Sequence, residues 1–403
     1  MNRIGVITHY YGSLNYGGVL QAYALCKVLR QYGMDPEQLC FPLQGMPLPR
    51  QEGKAGNKIA RSLKEGVLVR KAAHRLKRTV EKLAVKVLLP DLAERRKSAF
   101  SHFINALVPH SPQVYDSAGI AQCNGRYDMF ITGSDQVWNL RWYNPAYFLA
   151  FAGEGKPKFS YGASVAMSTL SAQEKALFRE YLHDFIGVSV REPQGAELLA
   201  DAVSQPVELV LDPALLLTEE QWDEVCAPRR IEGAYLFCYF LGNAKNQRRC
   251  ARTFAKKRNL KLVTIPHMGN QFVTGDVSFG DIRLPSPSPE EFLSLIKYAS
   301  CVFTDSFHAT AFSFLFQREY FTFRREGHRG MDSRVYGLTE LFGTQERFCD
   351  TPEKRKLDYL LRCEPLDYSV PTPGFAAMKE HSMDYLARML DTAKEAMNQH
   401  ENQ

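Results

Sequence analysis

Apolar residues in this chain fall in short runs separated by longer amphipathic stretches, and the two kinds of segment alternate along most of its length. Short apolar runs bounded by turn residues predict buried strands, while apolar positions three and four apart predict helices. Ile4–His9 predicts a first strand, Gly12–Gly18 a glycine-rich turn, and Val19–Tyr32 a helix that stops at Gly33. Further strands are predicted at Gln38–Pro42, Asp128–Thr132, Lys158–Val165 and Gly187–Arg191. A second series starts near Glu192, with strands at Val207–Leu211, Ala234–Leu241, Lys261–Ile265 and Tyr320–Phe323. Its helices are predicted at Asn246–Arg258, Glu290–Tyr298, Ser333–Phe342 and Met378–Met397. The alternation predicts an α/β protein of two Rossmann-like, doubly wound domains facing a cleft, with ligands at the carboxyl ends of the strands. The expected divisions are 1–186, 187–370 and a C-terminal helix over 371–403.

One segment breaks the alternation. Between Arg50 and Lys97 there are 15 Lys/Arg against 5 Asp/Glu. Within it, Leu63, Val67, Val69, Leu76, Val80, Leu83, Ala84 and Val87 recur at roughly helical spacing. Two readings of 50–89 stay open. It is an insertion helix, solvated or packed on its domain, or an interfacial helix lying on anionic lipid.

Composition narrows the class. A chain of 403 residues defaults to two domains, and 45% apolar with 12% aromatic residues is a folded composition. The net charge of +6 suits acidic ligands or a membrane surface and does not by itself imply nucleic acid. Nine cysteines without a CxxC pair read as reduced thiols of a cytosolic protein. The start, Met1–Thr8, reads as a strand and not a secretion signal, and no apolar run approaches the ~18 residues of a membrane span. No histidine pair at i, i+4 and no acidic cluster suggests a metal, and no resident cofactor is expected. No spacing of two acids announces glycoside hydrolysis.

The densest chemical signal is the run Cys301–Phe316. A short apolar strand breaks at Asp305-Ser306, a natural helix N-cap pair, and continues as an apolar helix. His308 then sits in the first turn, where free N–H groups and the helix dipole favour an anion. A histidine there can hold a phosphate or carboxylate and pass a proton. Arg191, at a predicted strand end, can grip an oxyanion at two points. The turn Gly12–Gly18 either cradles an anion through backbone N–H groups or is simply a tight turn. It has neither the dinucleotide glycine pattern nor the P-loop lysine. Asp135 either accepts a proton from a hydroxyl or caps a helix. Gln136 beside it can orient a sugar, Trp138 reads as core, and Asp212 before Pro213 reads as a turn former. His9, His267 and His328 show no partner in the sequence and read as ordinary.

Several blocks occur together in order: Asn15–Leu25, Gly133–Asn139, Ser160–Ser164, Ser189–Glu192, Leu211–Pro213, Thr304–Ala309 and Asp332–Val335. The ordered set resembles the polysaccharide pyruvyl transferases, from about Arg3 to Phe348, with the basic insertion outside the strongest likeness. The resemblance implies an architecture similar to the two-domain GT-B glycosyltransferases, with a C-terminal helix able to pack back on the first domain. It implies phosphoenolpyruvate as donor and two hydroxyls of a hexose as acceptor, in a surface polysaccharide or its lipid-linked precursor. The product is then a pyruvate ketal. The site expected on that basis has His308 and Asp135 as catalytic groups. Arg191, Ser306, Phe307, His308, Arg325 and Arg334 would hold the donor, and Asn15, Tyr16, Gly17, Ser134 and Gln136 the acceptor. Many members of the family carry a basic residue where this chain has Ser306, so Arg324, Arg325 or Arg334 is expected to supply that charge. A cytoplasmic location, peripheral at the inner face of the membrane, follows from a lipid-linked acceptor. A nucleotide-sugar glycosyltransferase is the rival, with Glu340 as its ribose-binding acid. A non-catalytic glycan-binding protein is the third reading, and the grouping of Arg191, His308 and Asp135 at strand ends argues against it.

Overall fold

The computed structural model describes residues 2–49, 90–266, 274–276, 278–325, 332–350, 354–370 and 372–401. The expected basic helix at 50–89, His267 and His328 lie outside the described residues.

The first sheet is built on β1 (Arg3–Ile7), β2 (Asp35–Cys40), β3 (His110–Val114), β4 (Met129–Thr132) and β5 (Lys158–Ser160). Its order is β3-β2-β1-β4-β5 and every pairing is parallel. Ile4, Val6 and Ile7 of β1 are fully buried, as are Met129, Phe130 and Ile131 of β4. Such continuous apolar strands need cover on both faces, which crossover helices provide. The first of these is α1 (Tyr16–Gln31), which follows β1 directly.

A short parallel ribbon, β6 (Val188–Val190) with β7 (Val207–Leu209), adjoins this sheet. Phe159 bridges to Gly187 and Ala163 to Val190. Residues 187–209 therefore sit beside the first sheet, on the far side of the 186/187 division read from the sequence.

The second sheet contains β8 (Tyr235–Tyr239), β9 (Lys261–Thr264), β10 (Ile282–Arg283), β11 (Cys301–Thr304), β12 (Tyr320–Phe323) and β13 (Phe348–Cys349). Its order, β10-β9-β8-β11-β12-β13, is again wholly parallel. The fold class read from the sequence is the observed one: α/β with two parallel sheets.

Several elements escaped the sequence reading: β3, β10, β13, α2 (Pro90–Leu107), α3 (Ala172–Leu182), α4 (Pro193–Ala200), α5 (Glu219–Asp223) and α10 (Lys354–Arg362). The others met below are α6 (Lys245–Lys257), α7 (Pro289–Lys297), α8 (Phe307–Leu315), α9 (Asp332–Leu341) and α11 (Pro373–Glu401).

The two sheets share one apolar core. Tyr16 at the start of α1 stacks on Phe292 of α7 at 4.3 Å, and its hydroxyl donates to the Pro287 carbonyl at 2.8 Å. Tyr23 packs on Trp222 of α5, which in turn meets Phe312 of α8 edge-on at 4.9 Å. The C-terminal α11 lies across the first sheet. Tyr385 donates to the Ser160 carbonyl at 2.9 Å, and Ser382 accepts the Leu211 N–H at 2.8 Å. Among the described residues, no helix is long and apolar enough to cross a membrane.

Candidate active site

In a doubly wound sheet the chain leaves adjacent strands in opposite directions at one point, and a crevice opens there. In the first sheet that point lies between β1 and β4. His9 follows β1, and Gly133-Ser134-Asp135 follow β4. In the second sheet it lies between β8 and β11, where Leu241-Gly242 follow one strand and Asp305-Ser306 the other. Asp305 spans this second crevice, accepting the N–H of Leu241 at 2.6 Å and of Gly242 at 2.8 Å. It is therefore a brace between strands, and Ser306 alone caps α8, accepting the Ala309 N–H.

Capping by Ser306 sets His308 in the first turn of α8, where it is buried. Its ring lies flat against the glycine face of α1. A Cβ on Gly17 would fall 1.9 Å from His308 Nδ1, so residue 17 must lack one. On the other side, His308 Nε2 is 3.5 Å from Asp212 Oδ2. Asp212 does form the turn expected of it, its Oδ1 accepting the Ala214 N–H at 3.0 Å. Its second oxygen is the hub of a buried cluster. Arg191 Nη1 and Ser134 Oγ both donate to it, the latter at 2.8 Å. Arg191 Nη2 donates to Asp135 at 3.1 Å, and the guanidinium lies 4.8 Å from the Phe307 ring centre.

Charge dominates this cluster. Burial alone would raise the Asp212 carboxyl, but His308 and Arg191 outweigh it and hold it far below the usual carboxylate range. Burial likewise opposes ionisation of Asp135. Arg191, then His308, His9 and Arg334, overcome that and lower it. Asp135 also has a positive φ of 67°, a left-handed conformation that is uncommon for any residue with a side chain. Such strain persists where surrounding structure fixes it, and it gathers at functional sites.

A cavity of about 210 Å³ opens beside the cluster, bounded by Arg191, Glu192, Phe307, Arg334, Leu338 and Met378. It suits a small metabolite and not a polymer. Arg334 is buried in its wall. It donates Nη1 to Ser164 at 3.3 Å, and its Nε has no hydrogen-bond partner. Burial, with Arg191 as a like charge nearby, pushes the guanidinium down to about 10. Ser164 in turn donates to Glu192, which also accepts the Val165 and Ala166 N–H groups at 2.8 and 3.2 Å.

The family model for polysaccharide pyruvyl transferases matches residues 15–323. The chain belongs to that family. It is therefore a transferase. Among curated proteins, none matches this transferase by sequence. Solved structures match its fold. The UDP-GlcNAc 2-epimerase of Methanocaldococcus jannaschii superposes with a TM-score of 0.54 at 10% identity, covering 97% of this chain and 99% of that one. The same enzyme with UDP-GlcNAc and UDP gives 0.52 at 11% identity, with the same coverage. The glycosyltransferase SnogD of Streptomyces nogalater gives 0.44 at 11%, again covering 97% and 99%. At such identities the likeness is one of fold.

The residues expected to form the site do not all gather there. His308, Asp135, Ser134, Arg191, Phe307 and Gly17 converge, and Arg334 lines the adjoining cavity. Tyr16, expected at the acceptor, is buried in the interdomain core. Asn15 caps α1 through the Gly17 N–H at 3.1 Å. Gln136 accepts the Asn139 side-chain amide at 3.0 Å, and Trp138 is core. Ser306 is a cap. Arg325 leans on Asp305, its Nη2 donating to the Asp305 carbonyl at 2.8 Å. Arg324 reaches out to Asp350 at the surface. Glu340 is exposed on α9.

Three residues of this region were missed by the sequence reading. Asp212 was taken for a turn former because its local role hides its second oxygen. Arg96, counted in the basic run, is buried on α2. It donates to the Leu14 carbonyl at 3.1 Å and lies over the Tyr16 ring, so it fixes the glycine turn. His9 was set aside for want of a visible partner. Its position at the end of the first predicted strand, two residues past β1 and beside a crevice, was the available signal.

Proposed function

We propose that this transferase moves the pyruvyl group of phosphoenolpyruvate onto two hydroxyls of a hexose, in a surface polysaccharide or its lipid-linked precursor, as a ketal. The carrying observation is the placement of His308, wedged between Asp212 and the glycine face of α1 beside an arginine-lined cavity. Ketal formation needs a proton on the methylene carbon of the donor, a site for carboxylate and phosphate, and acceptors for two hydroxyl protons. His308 supplies the first proton. When protonated it forms an ion pair with Asp212, which keeps the imidazolium oriented. Arg191 is already bound by two carboxylates, so it presents little uncompensated charge. Its role is to hold Asp135 and Asp212 in place and to lend one face to the donor.

Arg334 answers the charge lacking at Ser306. It is buried and opens on the cavity, and an incoming oxyanion would satisfy its idle Nε. Arg325 is a weaker choice because Asp305 engages it. Asp135 is a poorer proton acceptor than its position suggested, since Arg191 and its neighbours favour the carboxylate. The nucleotide-sugar reading gains nothing from Glu340, which is exposed.

Incubation with phosphoenolpyruvate and a panel of methyl hexosides tests the reading by mass spectrometry of the glycoside and by phosphate release. Ketal formation with stoichiometric phosphate is expected, with His308→Ala inactive and Arg334→Met weakened mainly in donor affinity. Full activity in His308→Ala would sink the assignment. Transfer from a nucleotide sugar on the same panel would favour the rival.

A further inference from the structure

Two hydroxyl protons must leave in this reaction, and Asp135 is held against Arg191. We propose that His9 is the base that accepts the first acceptor-hydroxyl proton, an assignment that rests on the pyruvyl-transfer reading. His9 stands two residues past the central strand β1, across the β1–β4 crevice from Asp135. The residue is half-buried, yet its Nε2 is covered and has no hydrogen-bond partner. Its ring meets Tyr147 edge-on at 4.5 Å. The His9 carbonyl lies 2.9 Å from where a Cβ on Gly18 would stand, and Asp135 Oδ2 lies 3.6 Å from the same point. His9, the start of α1 and Asp135 thus crowd one corner of the cleft, with His308 pressed on the neighbouring Gly17. A covered imidazole nitrogen with nothing to bond is costly in a purely structural residue. A ligand hydroxyl would remove that cost.

Of the influences on His9, burial and Arg191 oppose its taking a proton and Asp135 favours it. Burial depresses the ring to about 4; Asp135 opposes and Arg191 reinforces the shift. The imidazole is therefore neutral at pH 7 with a lone pair to offer, and Asp135 is the neighbour that stabilises a proton placed on it. The steps balance. The His308 imidazolium protonates the methylene carbon as the first hydroxyl oxygen bonds to the central carbon, and that hydroxyl's proton passes to His9 Nε2. The carbon–phosphate oxygen bond then breaks, its electron pair leaving with phosphate, which takes the proton from His9. The second hydroxyl bonds to the same carbon and returns its proton to His308. Both histidines end as they began.

The test separates chemistry from packing. His9→Phe keeps an aromatic ring against Tyr147, and His9→Gln keeps a polar group of similar reach. With phosphoenolpyruvate and the methyl hexoside panel, both variants should lose about 10²–10⁴-fold in kcat, with KM for phosphoenolpyruvate within about threefold of the parent. Retention of kcat by His9→Phe would overturn the proposal and leave His9 a packing residue. Nitrogen-15 NMR of the histidine rings, assigned by difference against His9→Gln, should show His9 neutral at pH 7 with Nε2 bare. A protonated Nε2 would also overturn it. A parent enzyme that forms no ketal on any glycoside refutes the pyruvyl-transfer reading itself, which differs from an active parent with an active His9→Phe variant.

Discussion

Among single residues, Asp212 shows how a local role can conceal a distant one. A sequence reading sees Asp-Pro and expects a turn, and the turn is there. The second carboxylate oxygen meets Arg191, Ser134 and His308, which lie 21, 78 and 96 positions away, and no local pattern carries that information. Arg191 was legible because it sits one residue past a strand, and His308 because it sits in the first turn of the helix that follows one, where chemistry is expected. The consequence of the buried cluster is measurable in acid. Asp212 and Asp135 have folded-state carboxyls held below the usual range. Their contribution to stability is therefore complete above the unfolded value of about 4 and is lost as pH falls toward the folded values. In denaturation experiments from pH 7 to pH 2.5, Asp212→Asn should be less stable at pH 7 by about 3–5 kcal/mol, because Arg191 loses a buried partner. It should also lose less than the parent on further acidification below pH 4. An acid slope equal to the parent's would show that this carboxylate does not carry the linkage.

At the level of elements, what was read from the sequence and what was missed have the same cause. Strands such as β4, β8 and β12 are short, wholly buried and flanked by turn residues, so their positions were read within a residue or two. The helix α2 follows the basic tract directly, and its charged face made it look like part of that tract. The start of α3 carried a readable signal, Ser171 three residues before Glu174, and the two form a reciprocal capping box. How α1 meets α8 was not legible, because two glycines in a turn announce flexibility and close approach equally well. The structure assigns Gly17 to close approach, which makes a sharp prediction. Gly17→Ala is compatible with helix, so far-UV circular dichroism should be unchanged, but its methyl would collide with the His308 ring. A displacement of ~1 Å at a catalytic group costs about 10²-fold in rate, so kcat in the ketal assay should fall by at least that order with the fold preserved. A fully active Gly17→Ala enzyme would mean that His308 is not held where the reaction needs it.

Across the whole molecule, the site belongs to neither sheet. The first sheet gives His9 and Asp135, the adjoining ribbon gives Arg191, the second sheet gives His308, and Asp212 lies on the passage between them. One core spans both sheets, which fits a cleft whose walls hold a fixed distance. The helix α11, for which the family resemblance implied packing back on the first domain, adds a tie whose contacts no sequence pattern shows. Ser382, fully buried on α11, accepts the N–H of Leu211, the residue before Asp212, while donating to the Met378 carbonyl at 2.6 Å. The C-terminal helix therefore holds the backbone that carries the hub of the site. Ser382→Ala keeps the helix and its apolar packing but leaves a buried N–H unsatisfied, at a cost of about 1–3 kcal/mol. Chemical denaturation should register that loss. If the tie also positions Asp212, kcat should fall while KM for phosphoenolpyruvate stays near the parent value, and Ser382→Thr, which retains the hydroxyl, should recover both stability and rate. A variant destabilised to the same extent at α6, on the far side of the second sheet, provides the control. Equal loss of kcat there would reduce the effect to general softening, whereas loss confined to Ser382→Ala ties catalysis to the C-terminal helix.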